Sequence, residues 1–305
     1  MILITEFMDE DAVERLRSRH PTVYDPGLAD RQDAIPAAMA DIRALIVRNR
    51  TQVSEALLAA APMLECVGRL GVGLDNIDVE ACRRRGVTVY PAIGANSLSV
   101  AEYVVTAAMM LLRGAWFANP AMLAGQWPRQ ASSGREIAGK TLGLVGFGAI
   151  ARDTAALARS LGMRILAYDP FVAADDPALA GAERLELADL LARSDVVSLH
   201  VPLTAATRHL IDAEAIAGMK AGAILVNAAR GGVVDEAAVC AALTGGRLGG
   251  AALDVFETEP LTRQAAEKFA GVPNLVLTPH IAGVTAEANV RVSAMIADAV
   301  LSHLS

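Results

Sequence analysis

The sequence predicts an α/β protein with two domains, each built on a parallel β-sheet with helices on both faces. Short apolar strands alternate with helical segments along the whole chain, as in parallel sheets with crossover helices. Hydrophobic residues make up 53% of the chain but aromatic residues only 4%, so the core must be mainly aliphatic, as is typical of buried parallel strands. A length of 305 residues is ample for two such domains.

Two series of elements follow one another. In the first series, predicted helices at residues 11–19, 55–60 and 79–85 alternate with strands at Ile2–Ile4, Ala44–Val47, 64–67 and 87–90. Ser99-x-x-Glu102 then fits a capping box and predicts a long helix from Ser99 to about residue 117. After a polar loop at 119–139, the second series has strands at Thr141–Val145, Arg164–Tyr168, 196–200, 224–227, 251–255 and Leu275–Leu277.

Charge and cysteine usage exclude several classes of function. The formal net charge is −7, from 27 basic and 34 acidic residues, and without a long basic run we expect no nucleic-acid partner. Cys66, Cys82 and Cys240 stand apart, without metal-ligand spacing, so we expect reduced thiols and no metal. The start lacks a basic signal segment, and the most apolar stretch, 103–112, is too short to span a bilayer. A cytoplasmic protein with no membrane partner is therefore expected.

The strongest local signal is Gly146-x-Gly148-x-x-Ala151, which follows an apolar strand and opens a helix. Gly146 permits a tight turn, Gly148 lets the backbone approach a pyrophosphate, and the helix start offers free N–H groups. Asp169 ends the next strand, about 20 residues further on, where a carboxylate binds the ribose 2′-OH and repels a 2′-phosphate. Neither of the next two residues is basic. The glycines alone could form an ordinary βα turn, but the combination predicts a Rossmann-like NAD site.

Six short motifs stand in a fixed order along the chain: GVGLDNID (71–78), Gly146-x-Gly148, HVPLT (200–204), NAARGG (227–232), DVFETEP (254–260) and PHIAG (279–283). In these motifs and their order the chain resembles the D-2-hydroxyacid dehydrogenases of the phosphoglycerate dehydrogenase type. The resemblance covers essentially all 305 residues. It implies hydride transfer between NAD and carbon 2 of a small anionic 2-hydroxy acid.

Such chemistry needs a proton donor near the keto oxygen and a cation for the substrate carboxylate. Among five histidines, the resemblance assigns proton transfer to His280, which follows a strand at the carboxyl end of the sheet. Glu259 would be its carboxylate partner, fixing the tautomer and stabilising the imidazolium. Arg230 would bind the substrate carboxylate and polarise the keto oxygen. Taken alone, Glu259 could be a loop acid and Arg230 a surface arginine.

The same resemblance implies the remaining site residues. The backbone amides of Val72 and Gly73 would hold the substrate carboxylate, although the family often has a hydroxyl residue where Val72 stands. Arg48, Arg69 and Arg129 match positions that bind the phosphate of phosphoglycerate. The coenzyme would be lined by Gly146, Gly148, Ala149, Ile150, Asp169, Pro202, Thr207, Ala228, Asp254 and Gly283.

The resemblance also implies the domain boundaries. Residues 1–98 and 285–305 would form a discontinuous substrate-binding domain, and residues 99–284 an NAD-binding Rossmann-like domain, with a cleft between the two. The loop that carries Arg129 reaches the neighbouring subunit in the family, so we expect a homodimer.

The sequence leaves more than one substrate possible. Three matching arginines favour a second anionic group, as in 3-phosphoglycerate or sulfolactate, because phosphate and sulfonate oxygens accept several guanidinium hydrogen bonds. Residues 4–10 and 24–26 are similar to those of bacterial sulfolactate dehydrogenases. Simple substrates such as glyoxylate, hydroxypyruvate or lactate are the alternative. An NAD(H)-sensing protein without catalytic activity is the alternative from another class, and Arg230, Glu259 and His280 argue against it.

Overall fold

The computed structural model describes residues 1–173 and 175–305, apart from the side chains of residues 115 and 116, and the chain forms two compact units. The first unit comprises Met1–Asn96 and Val284–Ser305, and the second comprises Ser97–Gly283. Each unit has one sheet, and all strand pairs in both sheets are parallel. The predicted α/β class with parallel sheets is therefore confirmed.

The strands are β1 (Ile2–Ile4), β2 (Thr22–Tyr24), β3 (Ala44–Val47), β4 (Cys66–Arg69), β5 (Thr88–Pro91), β6 (Thr141–Val145), β7 (Arg164–Tyr168), β8 (Glu183–Arg184), β9 (Val196–Leu199), β10 (Ala223–Asn227), β11 (Leu248–Leu253) and β12 (Leu275–Leu277). The α-helices are α1 (Glu10–Arg17), α2 (Glu55–Ala59), α3 (Val79–Arg84), α4 (Ser97–Arg113), α5 (Asn119–Leu123), α6 (Ala149–Ser160), α7 (Leu187–Arg193), α8 (Ala213–Gly218), α9 (Glu236–Thr244), α10 (Arg263–Ala266) and α11 (Ala286–Leu304). Short 3₁₀ helices lie at Leu28–Ala34, Pro36–Ala38, Ala115–Ala118, Pro177–Leu179 and Glu267–Phe269.

The first sheet has the strand order β2-β1-β3-β4-β5, which is flavodoxin-like. Helices α1 and α11 cover one face, and α2 and α3 cover the other. Gly68 lets α11 approach β4 closely, because a Cβ at that position would lie 2.5 Å from Ile296 Cγ2. The strand order reverses between β1 and β3, and ligands of open α/β sheets bind at the carboxyl ends of the strands beside such a reversal.

The second sheet has the order β12-β11-β10-β9-β6-β7-β8, which is the Rossmann order extended by one strand. Helices α4 and α6 cover one face of this sheet, and α7, α8 and α9 cover the other. Alternate side chains of β6 face the two layers: Leu144 belongs to one apolar cluster and Val145 to the other. The reversal of strand order lies between β6 and β9, at the edge where Gly146 and His200 follow.

Several local predictions were wrong. Helix α4 begins at Ser97, with Ser99 buried inside it, so Ser99 and Glu102 do not form the predicted capping box. The helix ends at Arg113 because Gly114 adopts a left-handed conformation, with φ 62°, which glycine tolerates and which is typical of a helix end. Strands β2 and β8 were not predicted, since edge strands of 3 and 2 residues carry no apolar run.

Across residues 1–173 and 175–305, no helix combines the length and the apolar character needed to cross a membrane.

Candidate active site

A glycine loop joins β6 to α6 and offers backbone donors at its surface. Gly146 has φ 90°, and a Cβ there would lie 2.7 Å from the carbonyl oxygen of His200. Gly148 precedes the first turn of α6, and a Cβ there would meet nothing within 4 Å. Ala149 and Ile150 follow in that turn, where the backbone N–H groups have no partner within the helix. The open space above Gly148 and these donors together fit a pyrophosphate.

Asp169 ends β7 next to the glycine loop. Its Oδ2 accepts a hydrogen bond from the Phe147 backbone N–H at 2.8 Å, and its Oδ1 accepts one from the Phe171 N–H at 2.9 Å. The carboxylate thus fixes both the glycine loop and the turn after β7. It also puts a negative charge beside the donors that a dinucleotide would use, as expected for an NAD site that disfavours a 2′-phosphate.

The loop after β9 carries Pro202 and Thr207. The Thr207 hydroxyl donates to the Pro202 carbonyl oxygen at 2.5 Å and accepts from the Thr204 backbone N–H at 2.8 Å. These bonds shape the loop itself. Ala228, another predicted coenzyme residue, follows β10 at the same carboxyl edge of the sheet.

Asp254 follows β11 and is buried, with 1% of its surface exposed. Its Oδ1 accepts hydrogen bonds from the Thr278 hydroxyl at 2.6 Å and the Ile281 N–H at 2.8 Å, while its Oδ2 accepts from the Ala282 N–H at 2.8 Å. The carboxylate therefore holds the segment that carries His280 and precedes Gly283. This scaffolding contact was not anticipated from the sequence, where Asp254 was expected only as a coenzyme residue.

His280 and Glu259 form a hydrogen-bonded pair. His280 Nδ1 lies 2.7 Å from Glu259 Oε2, and Glu259 Oε1 accepts from the Phe256 N–H at 2.9 Å. The His280 backbone adopts φ 55°, which is uncommon for a residue other than glycine, and its N–H donates to the Asp254 carbonyl oxygen at 2.8 Å. The side chain of His280 is 43% exposed, and no described residue is hydrogen-bonded to its Nε2.

The charge on Glu259 is favoured by its surroundings. Burial raises the pKa of this carboxyl, but the His280 hydrogen bond, the Phe256 N–H and the nearby charges of His280 and Arg230 outweigh it. The pKa of Glu259 therefore lies below its usual value. A carboxylate that stays ionised stabilises an imidazolium beside it.

Arg230 lies on the loop after β10, and its Nη1 donates to the Ala229 carbonyl oxygen at 2.7 Å. Asn227 braces this loop, since its Nδ2 donates to the Arg230 carbonyl oxygen at 3.0 Å and its Oδ1 accepts from the Ala229 N–H at 3.1 Å. Gly231 packs directly on the backbone of Phe256, where a Cβ would collide with the Phe256 carbonyl. The structure thus brings the Arg230 loop against the segment that leads to Glu259.

An ionic cluster beside these loops was not predicted from the sequence. Glu236, only 3% exposed, accepts from the Glu257 N–H at 2.7 Å and pairs with Lys268 at 2.5 Å. Glu257 Oε1 lies 3.2 Å from His209 Nε2, and the His209 N–H donates to the Gly232 carbonyl oxygen at 2.8 Å. The cluster joins three loops of the site. An acidic residue in the first turn of a helix is too common to reveal this role from the sequence.

His200 is not available as a charged group. Burial lowers its pKa to about 4, and its Nε2 lies 3.0 Å from the Ser198 hydroxyl. His209 and His280 are equally exposed and each has a carboxylate partner, but His280 lies at the carboxyl edge of the sheet, after β12, while His209 belongs to the ionic cluster.

In the first unit, Arg48 and Arg69 end neighbouring strands. Val47 pairs with Arg69 in the register of β3 and β4, so Arg48 follows at the same carboxyl edge. Arg69 Nη1 donates to the Leu70 carbonyl oxygen at 3.1 Å, and Arg48 Nη2 donates to Asn289 Oδ1 at 2.8 Å. The two predicted substrate arginines of this unit are therefore brought together at one edge of the sheet.

Val72 and Gly73 follow β4, and no described residue accepts a hydrogen bond from either backbone N–H. Both amides are thus available to a carboxylate. Arg129 belongs to the second unit and is exposed on the loop after α5. Within the part of the chain that the structure describes, no group of three or more His, Cys, Asp or Glu side chains is arranged to hold a metal ion.

Comparison with known proteins gives a consistent result. Residues 105–282 match the family "D-isomer specific 2-hydroxyacid dehydrogenase, NAD binding domain". An (S)-sulfolactate dehydrogenase of Chromohalobacter salexigens is 57% identical over 96% of this chain and 94% of its own. A D-3-phosphoglycerate dehydrogenase of Mycobacterium bovis is 45% identical over 88% of this chain, which spans only 50% of that relative.

A solved D-lactate dehydrogenase of Aquifex aeolicus, complexed with NAD and lactic acid, superposes with a TM-score of 0.86 at 28% identity, covering 100% of this chain and 95% of its own. The resemblance seen in the sequence and the predicted coenzyme are thereby confirmed. The chain belongs to the D-isomer specific 2-hydroxyacid dehydrogenases, and it is an NAD-dependent oxidoreductase of that family.

Proposed function

We propose that this protein oxidises (S)-sulfolactate, or a 2-hydroxy acid with a similar second acidic group, to the corresponding 2-keto acid. The observation that carries the proposal is the pair Arg48 and Arg69 at one edge of the first sheet. Two guanidinium groups suit a sulfonate or phosphate, whose three oxygens accept several charge-assisted hydrogen bonds. The relative that is 57% identical, named as an (S)-sulfolactate dehydrogenase, supports the sulfonate.

The coenzyme would be held by the glycine loop and the carboxyl edge of the second sheet. Amides of Ala149 and Ile150 suit the pyrophosphate, and Asp169 suits the ribose hydroxyls. Gly146, Gly148, Pro202, Thr207, Ala228, Asp254 and Gly283 would line the same coenzyme. When bound, NAD accepts the hydride from carbon 2 of the substrate, and NADH returns it in the reverse direction.

The protein's own part in the reaction would be charge binding and proton transfer. Arg230, with the amides of Val72 and Gly73, would bind the substrate carboxylate. His280 Nε2 would take the hydroxyl proton during oxidation, because Nδ1 is engaged by Glu259. Glu259 would hold the imidazole in this tautomer and stabilise the imidazolium that forms.

We also propose a cytoplasmic homodimer. All three cysteines are buried free thiols, as is usual in a reducing compartment. Large apolar side chains are exposed on the segment around α5, with Leu123 90% and Trp127 77% exposed, and a partner subunit would cover them. Arg129 on the same segment would then serve the site of the partner. Light scattering tests this proposal, and a monomeric mass at micromolar concentration would contradict it.

A substrate panel tests the proposed activity. We expect (S)-sulfolactate to give far higher kcat/KM with NAD than lactate or glycerate, because a methyl or hydroxymethyl group cannot make the charge-assisted hydrogen bonds that a sulfonate makes to guanidinium groups. Arg69→Ala should raise KM for sulfolactate and leave slow lactate turnover almost unchanged. Arg50→Ala is the matched control, since Arg50 is exposed on the neighbouring loop and paired with Asp30. Equal turnover of lactate and sulfolactate would contradict the proposal.

A further inference from the structure

The positive charge of Arg48 has an unusual setting. Arg48 is half-buried, and its side-chain partner is a neutral amide, since Nη2 donates to Asn289 Oδ1 at 2.8 Å. Burial lowers the pKa of Arg48, against the opposing charge of Glu6. A half-buried arginine is normally paired with a carboxylate, because burying an uncompensated charge is costly. The side chain of Arg48 therefore has an unmet requirement for an anion.

Glu6 is the nearby carboxylate, but its oxygens are engaged elsewhere. It is 4% exposed and accepts backbone N–H groups from four successive residues: Arg48 at 2.9 Å, Asn49 at 3.2 Å, Arg50 at 3.1 Å and Thr51 at 2.9 Å. Glu6 follows β1 and Arg48 follows β3, on either side of the reversal in strand order. The loop after β3 is thus fixed by a carboxylate that makes no direct ion pair with the Arg48 guanidinium.

Asn289 is held on a well-anchored helix. It lies in the first turns of α11, which is capped by the Thr285 hydroxyl at the Ala288 N–H, 3.0 Å away. Further along α11, Arg291 Nε donates to the Ala95 carbonyl oxygen at 2.9 Å, and Ile296 packs over Gly68. Because the helix is fixed, the amide oxygen can set the direction of the Arg48 guanidinium.

We propose that Asn289 is a specificity-determining residue: as a neutral acceptor it orients Arg48 while leaving the positive charge of Arg48 to the sulfonate or phosphate of the substrate. This inference rests on the proposed function and deepens it. An aspartate at this position would bind Arg48 more strongly, through a charge-assisted bond, but would neutralise it and repel a second anion. The neutrality of the amide is therefore the selective feature.

The KM values of two variants for (S)-sulfolactate distinguish this role from simple support of the Arg48 side chain. We expect Asn289→Ala to raise KM for (S)-sulfolactate only a few-fold, and Asn289→Asp to raise it about 10- to 100-fold, the range of one charge-assisted bond. KM for lactate and both kcat values should change little. If Asn289 only supported Arg48, Asn289→Asp would raise KM for (S)-sulfolactate less than Asn289→Ala. Val290→Asp, an exposed neighbour on the same helix, controls for added negative charge.

A binding measurement separates this inference from the proposed activity. The affinity of (S)-sulfolactate for the NADH-loaded protein, measured by titration calorimetry, requires no turnover. Binding without oxidation, weakened most by Asn289→Asp, would support the inference and contradict the proposed activity. Efficient oxidation with Asn289→Asp no worse than Asn289→Ala would contradict the inference alone. Neither binding nor oxidation of sulfolactate would contradict both.

Discussion

His280 Nδ1 lies 2.7 Å from Glu259 Oε2, and both residues are tied through backbone N–H groups to the segment 254–256. His280 donates its N–H to Asp254, and Glu259 accepts the N–H of Phe256. The pair is thus positioned by one short stretch of chain after β11. This arrangement suits a proton-transfer group, because Glu259 fixes the ring orientation through Nδ1 and leaves Nε2 for the substrate.

Replacement of His280 tests its proposed role. We expect His280→Ala to reduce turnover by about 10²- to 10⁴-fold, the usual contribution of a positioned acid or base, with NADH affinity largely intact. Steady-state kinetics and NADH fluorescence titration measure the two quantities. His209→Ala is a control histidine outside the proposed proton path. Near-normal turnover in His280→Ala would contradict the assignment of His280 as the proton-transfer group.

The lowered pKa of Glu259 predicts a pH-dependent stability. A carboxyl whose pKa is lower in the folded protein stabilises the fold above its ordinary value of 4.5, and this contribution is lost as pH falls through the lowered value. Wild type should therefore exceed Glu259→Gln in unfolding free energy near neutral pH, with the difference shrinking below pH 4.5. Urea unfolding at several pH values measures it. If the difference in unfolding free energy between wild type and Glu259→Gln grew on acidification, the prediction would be contradicted.

The two glycines of the coenzyme loop should respond differently to an added methyl group. Gly148→Ala should leave the unfolding temperature nearly unchanged, because a Cβ there meets nothing within 4 Å, yet weaken NADH binding by blocking the pyrophosphate approach. Gly146→Ala should destabilise the fold by more than about 1 kcal/mol, because its φ of 90° and the nearby His200 carbonyl both oppose a side chain. Unchanged NADH affinity in a folded Gly148→Ala would argue against the loop as the pyrophosphate site.

Asp169 should set the choice of coenzyme. We expect Asp169→Ala to weaken NADH binding about tenfold or more. It should also reduce the difference in affinity between NADH and NADPH, since the carboxylate repels a 2′-phosphate. Asp169→Asn removes the charge and keeps one of the two oxygens that accept the Phe147 and Phe171 N–H groups, so comparing it with Asp169→Ala partly separates the loss of charge from the loss of loop structure. A wild-type preference for NADPH would contradict the assignment.

The neutral state of His200 predicts a second effect of pH on the stability of the fold. Its pKa is lowered from 6.5 to about 4 by burial, so below pH 6.5 the unfolded chain takes up a proton that the folded protein does not. Stability falls there by up to about 1.4 kcal/mol per pH unit. His200→Gln should therefore gain stability relative to wild type between pH 7.5 and about 5, whereas Ser198→Ala should show no such trend. If the difference in unfolding free energy between His200→Gln and wild type did not change with pH, His200 would not be held neutral in the folded protein.

The sequence predicted the fold class and the glycine loop because their signals are local, whereas the pairing of His280 with Glu259 was expected only from the family resemblance. Gly146 and Gly148 lie within one turn, and His280 lies within one contiguous motif. Contacts that depend on burial or on distant partners were not predictable. Arg48 and Asn289 are 241 positions apart, and nothing near Glu236 in the chain indicates that a buried carboxylate will hold the Glu257 amide.

The discontinuous first unit has a consequence for biosynthesis. One apolar face of its sheet is covered partly by α11, whose Ile296 and Val300 pack beside Gly68. The ribosome makes that helix after the whole of Ser97–Gly283. The first sheet therefore keeps an uncovered apolar face while the whole of the contiguous second unit is being made, and that face is closed only after α11 has been synthesised.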